Sequence, residues 1–218
     1  PLIKIKEAQR LNPEEFLQFL EQQDQEISAK IKQLEEVRLS LHKSKRQLQE
    51  QLAIPWLTEV YEKELDEERI LMIKSSNATP RYIEDQYFTK LFHTIEAENI
   101  MQNSRYGSIY PLAEYSSVDD IHYEHIYVSL LSDRNIEMMG EELQLHRIPA
   151  GQYICIAYEA NIEALISLYT EYFNKLYSYI KQNELVVESL VYEVVMPSNY
   201  SPDQEEKFII ELKVRYSS

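Results

Sequence analysis

The sequence predicts an α+β fold: a duplicated β-α-β-β domain preceded by one long coiled-coil helix. Three observations carry this. Leu20, Ile27, Leu34, Leu41 and Leu48 recur every seven residues without a break, the spacing of a helix seam. Further along, apolar residues alternate with period 2, switch to helical spacing and return to period 2, and the whole sequence of changes occurs twice. Of only three glycines, Gly107 and Gly151 both fall at strand starts.

Residues 12–52 read as one helix. Asn12-Pro13-Glu14-Glu15 offers an N-cap, a proline for the first turn and acids that complement the helix dipole. The column flanking the heptad leucines is ragged, with Gln23, Lys30, Val37 and Ser44 at one offset and Asp24, Ile31, Arg38 and Lys45 at the other. One strict column beside a mixed one predicts a two-helix dimer seam, so residues 1–52 are assigned to dimerisation. Lys43, Lys45 and Arg46 form a small basic run read as a solvated helix face. Ile54-Pro55-Trp56 ends the helix, and residues 53–66 read as a linker.

The domain at 67–218 follows. A strand is expected over 69–74 and a helix over 80–99, with Thr79 as N-cap. Strands near 107–114 and 122–132 complete the first unit. The second begins with a strand at 141–147 that turns through Ile148-Pro149-Ala150-Gly151 into 152–158. A helix over 161–182 and strands at 188–196 and 207–216 complete it. Ile83, Tyr87, Leu91 and Ile95 mark the apolar stripe of the first helix. Ile162, Leu165, Tyr169, Tyr172 and Leu176 mark the second. Two similar halves imply a cleft between them.

Composition narrows function. Residues 1–52 carry nine basic and nine acidic side chains, whereas 53–218 carry 13 basic against 28 acidic, so the whole net charge of −15 resides in the second segment. Phosphate recognition needs clustered basic charge, which argues against nucleic-acid binding there. Seventeen tyrosines exceed what a core requires. No apolar run reaches the roughly 20 residues of a membrane span. No signal-peptide pattern opens the chain, and cytoplasmic residence is expected. The sequence starts without Met, which is read as a fragment of a longer protein. Cys155, in an apolar run, is expected to be a buried thiol. Asp119, Asp120, His122 and His125 resemble a metal cluster only superficially, because the two histidines are expected on opposite strand faces. No metal or cofactor is expected.

Glu193 stands out. In Ser189–Met196, alternation puts Val191, Glu193 and Val195 on one face and Leu190, Tyr192, Val194 and Met196 on the other. Both faces look buried, and a buried carboxylate without a partner costs several kcal/mol. In the last strand, Glu211 shares its face with Lys213 and Arg215 and reads as part of a solvated surface. Glu193 therefore needs a distant partner, a proton, or a ligand carrying positive charge.

Three stretches carry a family resemblance: Ile148–Tyr158, Val191-Tyr192-Glu193, and Tyr200-Ser201-Pro202 with Glu205-Glu206-Lys207-Phe208. With them, the chain resembles the MerR-family multidrug-sensing transcription activators of bacilli, the BmrR and BltR type. Residues 66–218 look like the GyrI-like effector-binding domain of that family, and 2–52 like its dimerisation helix. The family's N-terminal winged helix-turn-helix, its contact with promoter DNA, has no counterpart in the sequence. The resemblance implies a homodimer through 12–52 and lipophilic organic cations held between aromatic rings against a glutamate. It places Glu193 at that glutamate and Tyr169, Tyr106, Pro80, Ile83 and Val195 at pocket positions. Phe88 and Phe208 stand where the best-known member has tyrosines, and Tyr87 is the expected source of a replacement hydroxyl. Two other readings stay open: a GyrI-like small-molecule hydrolase using Glu193 as base with Tyr169, and a module that binds another protein.

Overall fold

A computed structural model describes residues 11–137, 142–199 and 206–216, apart from the side chain of Ile162. Glu141 and the resemblance-bearing residues Tyr200, Ser201, Pro202 and Glu205 lie outside the described residues. The chain divides into two compact units, 1–43 and 44–218. Helix α1, Pro13–Leu52, supplies the described helix of the first and leads into the second. Its start is a capping box. Asn12 Oδ1 accepts from the Glu15 amide at 2.9 Å, and Glu15 Oε2 accepts from the Asn12 amide at 2.9 Å.

In the second unit the elements run β1 (Val60–Leu65), β2 (Glu68–Lys74), α2 (Asp85–Ala97), β3 (Tyr106–Pro111), β4 (His125–Ser129), β5 (Leu143–Ile148), β6 (Gly151–Ala160), α3 (Ile162–Gln182), β7 (Val187–Pro197) and β8 (Phe208–Tyr216). The described strands form one antiparallel sheet in the order β1-β6-β8-β7-β3-β4-β2-β5. Read from its two ends, this order maps β1 onto β5, β6 onto β2, β8 onto β4 and β7 onto β3. Each half is a β-β-α-β-β unit, and the halves meet where β3 pairs with β7.

The halves also exchange their first strands: β1 pairs with β6, and β5 with β2. The register is unbroken across both pairs, with Val60 opposite Ile156, Leu65 opposite Gly151, Glu68 opposite Ile148 and Ile73 opposite Leu143. This corrects one expectation. The segment 53–66, read as linker, contains β1; the turn at Ile148–Gly151 connects β5, paired with β2, to β6, paired with β1. The alternating charges of Val60-Tyr61-Glu62-Lys63-Glu64-Leu65 hide a strand at the end of the sheet order, of which only Tyr61 is buried. Gly151 takes φ +148°, open to glycine, at this junction.

The start of α2 differs too. Thr79 and Tyr82 pair backbone to backbone around Pro80-Arg81, making a turn rather than an N-cap, and the helix begins at Asp85. Proline suits the second position of such a turn because its φ is preset. The start of α3 follows expectation: Asn161 Oδ1 accepts from the Ala164 amide at 2.9 Å.

The sheet buries side chains on both faces. One core gathers Leu91, Ile95, Ile154, Tyr158, Tyr169, Phe173, Val191, Val195 and Leu212, with α2 and α3 contributing side chains to it. The other gathers Tyr61, Met72, Ile109, Tyr127, Tyr153, Cys155 and Tyr192. Burial pushes the Cys155 thiol well up, away from reactive thiolate. No described helix is long and apolar enough to cross a membrane.

Candidate ligand site

The site is built where the halves join. Pairing of β3 with β7 sets Ser108 opposite Glu193, Tyr106 opposite Val195 and Tyr110 opposite Val191. Glu193 is only 5% exposed. Its Oε2 accepts three hydroxyl hydrogen bonds, from Tyr169 on α3 at 2.6 Å, from Tyr123 ahead of β4 at 2.8 Å and from Ser108 at 3.0 Å. The Tyr110 and Tyr169 hydroxyls lie 2.7 Å apart. Tyr169 gives its one proton to Glu193, so Tyr110 donates to Tyr169 and extends the chain. Among the described residues, no donor reaches Oε1 and no cation pairs with the carboxylate. Burial therefore raises the Glu193 carboxyl above its usual range, and the three hydroxyls pull it back only in part.

Position depends on the opposite face as well. Tyr127 on β4 donates its hydroxyl to the Glu193 carbonyl at 2.8 Å, passing over Gly107 of the intervening strand. A Cβ at Gly107 would lie 1.9 Å from that carbonyl oxygen and 2.7 Å from the Tyr127 ring. Glycine is thus required by close approach, not by backbone angle.

Aromatic rings enclose the carboxylate. Tyr110 packs on Tyr123 and Phe173, with centroids 5.5 and 6.2 Å apart. Tyr158 stacks on Tyr172 at 4.7 Å. Phe88 meets Tyr106 edge-on at 5.2 Å. The Tyr106 hydroxyl is pushed up to about 12 by burial, with the charges of Glu193 and Glu206 adding to it. Tyr110, Tyr123, Tyr158 and Tyr169 are all buried. A surface cleft of about 470 Å³, lined by Arg81, Ser117, Ile166 and Thr170 among others, opens elsewhere and does not include Glu193.

Of the residues singled out from sequence, Tyr169 bonds Glu193 directly, and Tyr106, Phe88 and Val195 cluster beside it. Ile83 and Phe208 are half-buried against the same core, and Pro80 sits in the turn before α2. Tyr87 does not supply the replacement hydroxyl: its oxygen faces the Ser76 amide at 3.4 Å. Tyr123 and Ser108 take that role instead. Ser108 had a legible signal, being a polar residue between Tyr106 and Tyr110 on one strand face. Tyr123, in a loop, had none. The acidic pair near His122 is used locally. Asp119 pairs with Arg81, and Asp120 accepts from the Ser117 amide at 2.9 Å. Among the described residues, no group of three or more His, Cys, Asp or Glu side chains is placed to hold a metal.

Residues 58–217 match the GyrI-like family, described as a GyrI-like small molecule binding domain. The chain belongs to this GyrI-like family. It is 31% identical over 215 residues to the Multidrug-efflux transporter 1 regulator of Bacillus subtilis (strain 168), an alignment covering 99% of this chain and 76% of the relative. Among solved structures, the EcmrR–DNA complex in EcmrR-RPo, determined by cryo-EM, aligns with TM-score 0.50 at 12% identity, over 99% of this chain and 76% of that one. An uncharacterized conserved protein from Listeria innocua aligns with TM-score 0.53 at 12% identity, over 78% and 98%. These two share the fold. The GyrI-like domain is thus a small-molecule-binding domain related to a multidrug-efflux regulator.

Proposed function

We propose that this chain is the ligand-sensing and dimerisation part of a MerR-family multidrug-responsive transcription activator, and that lipophilic organic cations bind at Glu193. One observation carries the ligand class: a buried carboxylate that has hydroxyl donors and aromatic neighbours but no cationic partner among the described residues. An organic cation completes such a site. Its charge meets the carboxylate, and each ring face it covers adds about 0.5–2 kcal/mol. Broad apolar walls suit flat ligands of varied outline. The curated relative is a regulator, which favours sensing over hydrolysis. Phe88, Tyr106, Val195, Ile83, Phe208 and Pro80 are the proposed walls.

Dimerisation is assigned to residues 12–52. Leu20, Ile27, Leu34, Leu41 and Leu48 are each at least 39% exposed in the single chain, leaving the heptad column uncovered. A second copy of the helix would cover it. Promoter DNA is assigned to a winged helix-turn-helix outside this chain. Sedimentation of the purified protein as a dimer, with Leu34→Lys shifting it to monomer, is the expected result; a wild-type monomer at micromolar concentration would remove this assignment.

The ligand reading is tested with tetraphenylphosphonium, a cation that neither titrates nor donates hydrogen bonds. Glu193→Gln keeps the side-chain shape and removes the charge, and should weaken binding by roughly 10–100-fold, the scale of one desolvated charge contact. Equal affinity in wild type and variant sinks the proposal.

A further inference from the structure

Tyr158 is the one described side chain whose buried polar atom has no hydrogen-bond partner. The residue is fully buried, on the β6 face that turns toward α3, and belongs to the same core as Tyr110, Tyr169 and Val195. Stacking on Tyr172 fixes its ring. The hydroxyls bonded around Glu193 are already engaged: Tyr169, Tyr123 and Ser108 on Oε2, and Tyr110 on Tyr169. An orphaned buried hydroxyl costs on the order of 1–3 kcal/mol, and burying phenylalanine here would have avoided that cost. The hydroxyl also lies in the field of Glu193. Burial first, then the Glu193 and Tyr172 charges, drive its proton affinity far above the usual range, so it stays a neutral O–H. Pairing sets Tyr158 opposite Ile210 on β8 and Ile210 opposite Val195 on β7, so Tyr158 shares the helix-covered sheet face with Val195 and Glu193, two strands away.

We infer that Tyr158 is a specificity contact of the Glu193 site, selecting organic cations that carry an N–H donor over those that carry none. This rests on the cation-binding reading above and narrows its ligand class. The sense of the hydrogen bond follows from charge. Glu193 makes the local potential negative, which repels an acceptor group on a ligand and favours a donor. A protonated amine, an amidinium or a dye with secondary aryl-amine nitrogens can place its charge against the carboxylate while giving an N–H to the Tyr158 oxygen. Quaternary ammonium and phosphonium ions satisfy only the first demand and leave the hydroxyl orphaned.

The test uses matched dyes. Rhodamine 6G has N–H groups on its xanthene nitrogens, and tetramethylrhodamine ethyl ester has methyl groups in their place. Tetraphenylphosphonium serves as a donor-free control. Wild-type protein should bind rhodamine 6G roughly 5–10-fold more tightly than the tetramethyl dye, the scale of one neutral hydrogen bond. Tyr158→Phe should erase this preference by weakening rhodamine 6G alone, with the other two ligands unchanged within twofold. Absence of a preference in wild type overturns the inference without recourse to any variant. A preference that survives Tyr158→Phe overturns it too, as does equal weakening of all three ligands, which would assign the hydroxyl to the fold. The Glu193→Gln arm separates the two claims. Cations that bind that variant as tightly as wild type defeat the charge reading, whereas the dye preference reports on Tyr158 alone.

Discussion

Glu193 and Glu211 are both buried and lie on the paired strands β7 and β8, Glu193 opposite Leu212 and Glu211 opposite Val194, yet they are opposite solutions to one problem. Glu211 is 4% exposed on the face away from α2 and α3. It accepts from the Tyr61 hydroxyl at 2.5 Å and pairs with Lys63 at 3.4 Å, while Lys213 reaches Glu68 at 3.8 Å. Burial alone would raise its carboxyl, but Lys63 and Lys213, then Tyr61 and Arg105, outweigh it and hold it below the usual range. Glu193, on the helix-covered face, has hydroxyls only and is raised. A carboxylate whose charge is compensated inside the fold holds structure; one left uncompensated is available to a ligand.

The largest effect should come from breaking the compensated site. Glu211→Ala leaves Lys63 and the Tyr61 hydroxyl without their buried carboxylate and should cost about 3–5 kcal/mol in urea unfolding at pH 7. A loss under 1 kcal/mol would show that the network is dispensable. Next in size is the pH dependence of tetraphenylphosphonium binding. Because the Glu193 carboxyl is raised, its ionised form, and hence affinity, should grow as pH climbs from 5 to 8, while Glu193→Gln should give a flat profile. A flat wild-type profile would place the carboxyl at an ordinary value.

The smallest effect concerns stability. A raised carboxyl means that the folded protein holds its proton more tightly than the unfolded chain. The associated stability is fully present below the unfolded pKa, about 4.3, and is lost as pH rises through the folded value. Glu193→Gln should therefore melt like wild type at pH 4 and at higher temperature than wild type at pH 8. The order reverses for Glu211, whose contribution is present above the unfolded value and is lost on acidification. Identical melting behaviour of Glu193→Gln and wild type at both pH values would mean that the hydroxyls compensate the charge in full.

The same pair shows where sequence reading succeeds and fails. Glu193 was legible because both strand faces around it are apolar, a pattern no surface strand needs. Glu211 was misread as solvated because Lys213 and Arg215 share its strand face; in fact Lys213 is buried as well. The residue that encloses Glu211, Tyr61, sits on β1, a strand hidden by its charges. Tyr169 was legible from helical spacing and resemblance. The hydroxyl partner expected from Tyr87 came instead from Tyr123 and Ser108, because side-chain direction in a pocket depends on which strands meet.

The sequence by itself determined the long heptad helix, the repeated strand–helix–strand–strand pattern and the unmatched carboxylate, since each is a local periodicity or a breach of one. Only the tertiary structure decided that the two halves exchange their first strands, that Tyr127 braces Glu193 across Gly107, and that one buried glutamate is charge-compensated and the other is not. Compensation is a property of distance in space. Lys63 and Glu211 are 148 positions apart in the chain and 3.4 Å apart in the fold, and no periodicity encodes that.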